Sequence, residues 1–171
     1  ESVITVMMGD DCVEQLAMRV RDTHLLASRA VERARHWQAD SISVDAIGYG
    51  AGPVSDLREW GWGSRLHEFV ASAQPNDSMR FSDRSTEAAW ELIEKVNARA
   101  IGLPSDPVLR SQFLQIRFRP MANGKVKLEK APDGCRSPDR FDSLMIACAN
   151  PIYSGGRGLL EWMDSRRKKA A

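Results

Sequence analysis

From Ser2 to Met8 apolar and polar side chains alternate in a run rich in Val, Ile and Thr; Gly9-Asp10-Asp11 supplies turn residues, and Cys12 to Arg19 resumes the extended pattern. Alternation sends successive side chains to opposite faces of a strand, so this segment predicts a β-hairpin. From Thr23 the period changes. Leu26, Ala30, Ala34 and Trp37 recur at helical spacing with Arg and Glu between them, and Asp22 or Thr23 is placed to cap the helix. Ser41 to Asp45 (SISVD) is a short β-rich run ending in an acid. Gly48, Gly50 and Gly52 follow, and Pro53 is positioned to open a helix over Val54 to Trp60, which makes a strand, glycine loop and helix unit.

Leu66 to Ala71 reads as a further strand, and Ser72 to Arg84, with Gln74-Pro75-Asn76-Asp77-Ser78 inside it, reads as a loop long enough to move. Ser85 is placed to cap a helix with Ala89, Trp90, Ile93 and Val96 on one face, and a second helix is expected near Asp106 to Phe113. Gln115 to Met121 and Lys125 to Glu129 alternate on either side of Asn123-Gly124, a strong hairpin turn. Ser137-Pro138, an N-cap followed by proline at the first helical position, launches a helix over Asp139 to Ala149. Gly155, Gly156 and Gly158 break the chain before a last helix, Leu159 to Lys169, within a helical tail at about residues 152–171. The sum is an α/β domain with a mixed central sheet flanked by helices, one domain over 1–171.

Composition narrows the chemistry. At 43% hydrophobic and 27% charged residues the chain can bury a core, and no apolar run reaches the roughly 20 residues a membrane helix needs. Cys12, Cys135 and Cys148 show no CxxC or Cys/His ligand spacing, so neither a disulfide framework nor a structural zinc site is supported. A net charge of +1 excludes nucleic-acid binding by bulk charge alone, and any such contact has to be local. Basic residues cluster from Arg110 to Arg119, at Lys125, Lys127 and Lys130, and in the tail at Arg166, Arg167, Lys168 and Lys169, although each cluster also fits a solvated face. His24, His36 and His67 lack ligand spacing, and Trp37, Trp60, Trp62, Trp90 and Trp162 read as core or interface anchors.

Phosphodiester hydrolysis with two divalent ions needs carboxylates converging on metals roughly 3.5 to 4 Å apart. Hard ions take oxygen ligands, so acids mark such a site. Asp45, at the end of a strand, is one supplier, or it merely turns the chain. Asp139 and Asp142, three apart in the first turn of a helix, are others, or they only complement the helix dipole.

VDAIGYGAG from Val44 to Gly52, FSDRSTEAAWELIEKV from Phe81 to Val96, and QFLQIRFRPMANGKVKLEK leading into SPDRFDSLMIA resemble, in that order, the nuclease domain of the large terminase subunit of tailed bacteriophages. The likeness spans the chain to about Ala149, with SPDRFDSL its most specific element. It implies a ribonuclease-H-like fold, a metal-dependent endonuclease that cuts concatemeric double-stranded DNA during packaging, and a two-metal site for Mg²⁺ or Mn²⁺. Carried over to this sequence, Asp45 resembles the acid of the second catalytic strand. Asp139 resembles the helix-borne ligand, with Asp142 a close second. Gly48, Gly50 and Gly52 would let the backbone pass near metal or substrate, and Lys127 and Lys130 would contact phosphate.

The family pattern also has an acid on a first strand that lies upstream of Ser2, and Asp10 and Asp11 sit in the turn and do not replace it. The chain is therefore expected to be the C-terminal part of a longer terminase, with its first strand missing and its own activity weak or absent. The parent would contribute an ATPase domain and meet a small terminase subunit and a portal in the cytoplasm of the bacterial host; no GxxxxGK[ST] phosphate loop occurs in this chain. Two other readings stand beside this one: a different ribonuclease-H-like nuclease such as a junction resolvase, and a non-catalytic DNA-binding or docking module in which Asp139 and Asp142 are helix caps.

Overall fold

A computed structural model describes residues 1–130 and 136–149. The predicted tail helix, Gly155, Gly156 and Gly158, the tail cations, Cys135 and Trp162 lie outside the described residues. Strand β1 (Ser2–Met8) pairs antiparallel with β2 (Asp11–Met18), with an irregularity of register between Val6 and Met7. Helix α1 (Thr23–His36) is capped by Asp22, whose side chain accepts the amides of His24 and Leu25. Strand β3 (Ile42–Asp45) runs parallel to β4 (Leu66–Phe69), as a strand–helix–strand crossover requires.

The crossover differs from the sequence expectation. A 3₁₀ turn over Gly48–Gly50 leads into α2 (Ala51–Leu57), so Pro53 sits inside the first turn rather than opening the helix. A proline is tolerated there because the first-turn N–H groups have no partner within the helix. The chain then passes through a wide turn at Arg58–Trp62, broken by Gly61 at φ 83°.

Helix α3 (Arg84–Asn97) is capped by Asp83 and not by Ser85. The Asp83 carboxylate accepts the Thr86 amide at 2.9 Å and the hydroxyls of Ser85 and Thr86 at 2.8 Å each. The Thr86 hydroxyl in turn accepts the buried Leu128 amide at 3.1 Å, which fastens this helix to strand β6 (Val126–Glu129). Helix α4 (Pro107–Gln115), capped by Asp106, leads into β5 (Arg117–Pro120), which pairs antiparallel with β6 across the Asn123-Gly124 turn. Helix α5 (Asp139–Ala149) ends the described chain.

Two clusters form the core. One joins Ala88, Ala89 and Leu92 of α3, Leu109 of α4, Leu128 of β6 and Phe141, Leu144 and Met145 of α5, with Phe69 of β4. The other joins Ala27, Val31 and Ala34 of α1 with Leu57 and Trp62, against Ile42, Val44 and Leu66. Leu66 and Phe69 are three apart on one strand and so face opposite sides, which puts the β3–β4 pair between the clusters. Phe141 is fully buried and meets Phe113 edge to face at 5.0 Å, a position worth about 2–3 kcal/mol in burial alone.

Among the described residues the strands stand as three two-stranded ladders and are not hydrogen-bonded into one continuous sheet. Between β1 and β3 runs a groove of about 2010 Å³, lined by the whole of β1, by Ser41–Asp45 and by the start of α5. Each of these strands has a partner on one side only. Among the described residues no helix is long and apolar enough to cross a membrane.

Candidate functional site

Asp45, Asp139 and Asp142 all line that groove. Asp45 is the last residue of β3 and is exposed; its carboxylate accepts the Ile47 amide at 3.3 Å, while the Ala46 amide bonds the Phe69 carbonyl at 2.9 Å and anchors the strand end. The following loop folds back onto Asp45. A Cβ on Gly50 would lie 1.5 Å from the Asp45 carbonyl oxygen, and one on Gly52 would lie 2.6 Å from the Thr23 hydroxyl. Gly48 adopts φ +67°, the left-handed region. The close approach that Gly50 and Gly52 allow is thus to the chain's own backbone and to α1, and it holds the loop beside Asp45.

Asp139 and Asp142 enter the groove from the first turn of α5. The Asp139 carboxylate lies 2.6 Å from the Glu1 amino group. Asp142 is 23% exposed, and Lys130 Nζ stands 2.9 Å from its Oδ1. That oxygen is buried, and Lys130 meets it as an ion pair. Burial pushes the Asp142 carboxyl above its ordinary value; Lys130 opposes this, and the charges of Asp139 and Asp45 add to it. The three acids therefore share one electrostatic site. Among the described residues no three His, Cys, Asp or Glu side chains are already gathered closely enough to hold a metal ion.

Lys130, just past β6, is at the site. Lys127 stands on the exposed face of the hairpin opposite Arg119, away from the acids. Two of the three histidines have structural surroundings: His24 meets Trp60 edge to face and approaches Asp56 at 3.4 Å, and His36 packs on Trp37.

The scaffold behind the acids uses residues that sequence reasoning did not single out. Gln112 of α4 is buried, and its Oε1 accepts the amides of Arg140 and Phe141 at 2.9 and 3.0 Å. A distant side chain thus satisfies the start of α5, where the Ser137-Pro138 pattern had predicted a local cap. Arg140 is paired with Asp106. Ser143 donates to the Val3 carbonyl and shares a hydrogen bond with Thr5, while Gln15 donates to Thr5 and to the Arg140 carbonyl, so the β1–β2 hairpin is bolted to the same turn. No sequence signal marks Gln112, because its partners are backbone groups 28 and 29 residues away.

No family model matches the chain, and no curated protein matches it. Solved structures do. A lysine-to-alanine variant of the nuclease domain of the large terminase subunit gp2 of bacterial virus Sf6, with manganese, aligns at TM-score 0.72 and 22% identity over 86% of this chain and 82% of that one. A variant from the same phage with calcium gives TM-score 0.72 and 22% identity over 86% and 81%. The nuclease domain without that substitution gives TM-score 0.72 and 21% identity over 86% and 81%. By fold, this chain is an α/β domain similar to the nuclease domain of the Sf6 large terminase subunit.

Proposed function

We propose that this chain is the metal-dependent endonuclease domain of a phage DNA-packaging terminase, cutting concatemeric double-stranded DNA in the cytoplasm of the host. The observation that carries the reading is the meeting of Asp45, Asp139 and Asp142 in one groove, where burial raises the Asp142 carboxyl and the charges of Asp139 and Asp45 add to the shift. Solved relatives in fold hold manganese or calcium, and a donor set made only of carboxylate oxygen suits Mg²⁺ or Mn²⁺.

Asp45, Asp139 and Asp142 would hold the ions. When bound, a metal pair supplies an activated water and neutralises charge on the scissile phosphate. Lys130 balances the Asp142 charge in their absence and is within reach to meet a phosphate oxygen once that charge is balanced otherwise. Gln112 and the Asp106–Arg140 pair keep the first turn of α5 aimed into the groove.

Bound divalent ions would draw the acids together, and the groove between β1 and β3 leaves room for a further carboxylate ligand. Two strands, each with one unpartnered side, flank it, which suits an added strand of the parent protein bearing an acid at its end. Alone, this chain would then bind metal weakly and cut poorly. In the parent it would work beside an ATPase domain, with the small terminase subunit and the portal as partners.

One observation favours a non-catalytic DNA-docking reading: Asp139 and Asp142 each already have a cationic partner, in the Glu1 amino group and Lys130. Calorimetric titration with Mn²⁺ separates the two readings. The nuclease reading expects binding that weakens at least about tenfold in Asp142→Asn and in Asp45→Asn. Equal affinity in all three proteins sinks it and favours docking.

A further inference from the structure

The loop after β3 exposes two large apolar side chains, Ile47 at 54% and Tyr49 at 64%. Single exposed apolar residues are ordinary, but this pair is held in place. The Ile47 amide is bonded to Asp45, Gly50 is wedged against the Asp45 carbonyl, and the Tyr49 hydroxyl donates to the Arg21 carbonyl at 3.2 Å. That last bond ties the loop to the connection between β2 and α1, where Arg19 and Arg21 are exposed and in no ion pair among the described residues. Both arginines line the groove that Asp45, Asp139 and Asp142 line.

Topology explains the gathering. Met18, at the end of β2, pairs with Ser2 at the start of β1, and Glu1 meets Asp139, so the β2–α1 connection leaves the sheet at the acid end. An acid cluster repels a phosphate backbone unless cations stand beside it, and Arg19 and Arg21 are two such cations with no anionic partner among the described residues.

We propose that Tyr49 and Ile47, with Arg19 and Arg21, form the rim that grips duplex DNA beside the acids: the arginines neutralise backbone phosphates, and the Tyr49 ring and Ile47 lie against the sugars between them. This rests on the nuclease reading and names how its substrate is positioned. The rim recognises DNA without reading bases, because arginine on phosphate and apolar side chains against sugars are both sequence-tolerant.

The test is duplex binding by fluorescence anisotropy at a series of KCl concentrations in EDTA, so that nothing is cut. Arg19→Ala/Arg21→Ala should reduce the slope of log affinity against log salt by about two, one for each phosphate left without its arginine. Tyr49→Ala should weaken binding about tenfold with the slope unchanged, and Tyr49→Phe, which keeps the ring and loses the hydroxyl tie to Arg21, should fall between Tyr49→Ala and the parent chain. Arg35→Ala removes an equally exposed cation on α1 outside the groove and should change nothing. The rim is overturned by Tyr49→Ala binding like the parent chain, or by Arg35→Ala lowering the slope as much per charge as the rim arginines. Either of those outcomes leaves the metal titration of Asp45 and Asp142 untouched. A parent chain that ignores duplex at every salt concentration overturns the rim and the nuclease reading together.

Discussion

Replacing Gln112 with leucine isolates the part of the scaffold that aims the acids. The side chain is buried, and its Oε1 accepts two amides at the start of α5, that of Arg140 at 2.9 Å and that of Phe141 at 3.0 Å. Leucine has similar bulk but no acceptor. The Phe141 amide is buried and would lose its partner outright, a penalty of about 1–3 kcal/mol, while the part-buried Arg140 amide would recover some solvation and cost about 1 kcal/mol. The sum, about 2–4 kcal/mol, is a large share of the 5–15 kcal/mol typical of a folded domain.

Urea denaturation followed by tryptophan fluorescence measures this loss, with an unchanged m-value showing that the unfolded state is the same. Gln112→Glu keeps an acceptor oxygen at the positive end of a helix and should recover most of the lost stability. Because Asp139 and Asp142 ride on that turn, Mn²⁺ affinity of Gln112→Leu should also fall about tenfold or more while the protein remains folded. A leucine variant within about 0.5 kcal/mol of the parent chain would refute the claim that Gln112 organises the start of α5.

The glycine loop, the acid side of the stability curve and the thiols give three further tests. Gly50→Ala puts a methyl group into the Asp45 carbonyl and should displace the loop, costing at least about 2 kcal/mol in denaturation and lowering Mn²⁺ affinity; an unchanged protein contradicts the close approach. Burial alone would raise the pKa values of Asp83, Glu87 and Asp106, but hydrogen bonds from nearby amides, Ser and Thr hydroxyls, Arg84 and Arg140 outweigh it, and all three fall below their ordinary values. A depressed folded-state pKa gives stability that is present above about pH 4.5 and lost as pH falls through the folded value, so urea midpoints should drop from about pH 4.5 downward, and less steeply in Asp106→Asn. Burial pushes the Cys148 thiol up to about 11 and also raises that of Cys12, so alkylation at pH 7.5 followed by mass spectrometry should find both labelling far more slowly than in urea.

Local signals in the sequence carried most of the elements. The Asp22 cap, the helix expected near Asp106 to Phe113 and the Asn123-Gly124 turn rest on signals within a few residues of what they determine, and each of these is present. The errors lie where two local choices compete or where partners are distant. Asp83 and Ser85 could both cap α3, and the carboxylate wins by accepting an amide and two hydroxyls at once. Glu87, which no reading of the sequence singled out, is 3% exposed and accepts the Asn76 and Asp77 amides at 2.8 Å. It pins the middle of a loop that length alone suggested could move. The gathering of Asp45 with Asp139 and Asp142 could be anticipated only through the family resemblance, since 94 residues separate Asp45 from Asp139 and no spacing rule reaches that far. Gln112, Lys130 on Asp142, and the division of the strands into separate ladders depend on packing that no local pattern encodes.

The central claim is metal-dependent DNA cleavage by this acid cluster, completed by a strand of the parent protein. Its most direct test is plasmid cleavage by the chain extended upstream by roughly 20 residues, enough for a strand and its connection, with Mn²⁺, Mg²⁺ or EDTA, beside the chain as it stands and an Asp45→Asn variant of the extended form. The account predicts nicking and linearisation by the extended form with either metal, none in EDTA, at least about a hundredfold less by the variant, and weak or no cutting by the shorter chain. A folded extended form that binds DNA and never cuts it, or one that cuts equally well in EDTA or with Asn at position 45, would contradict the account.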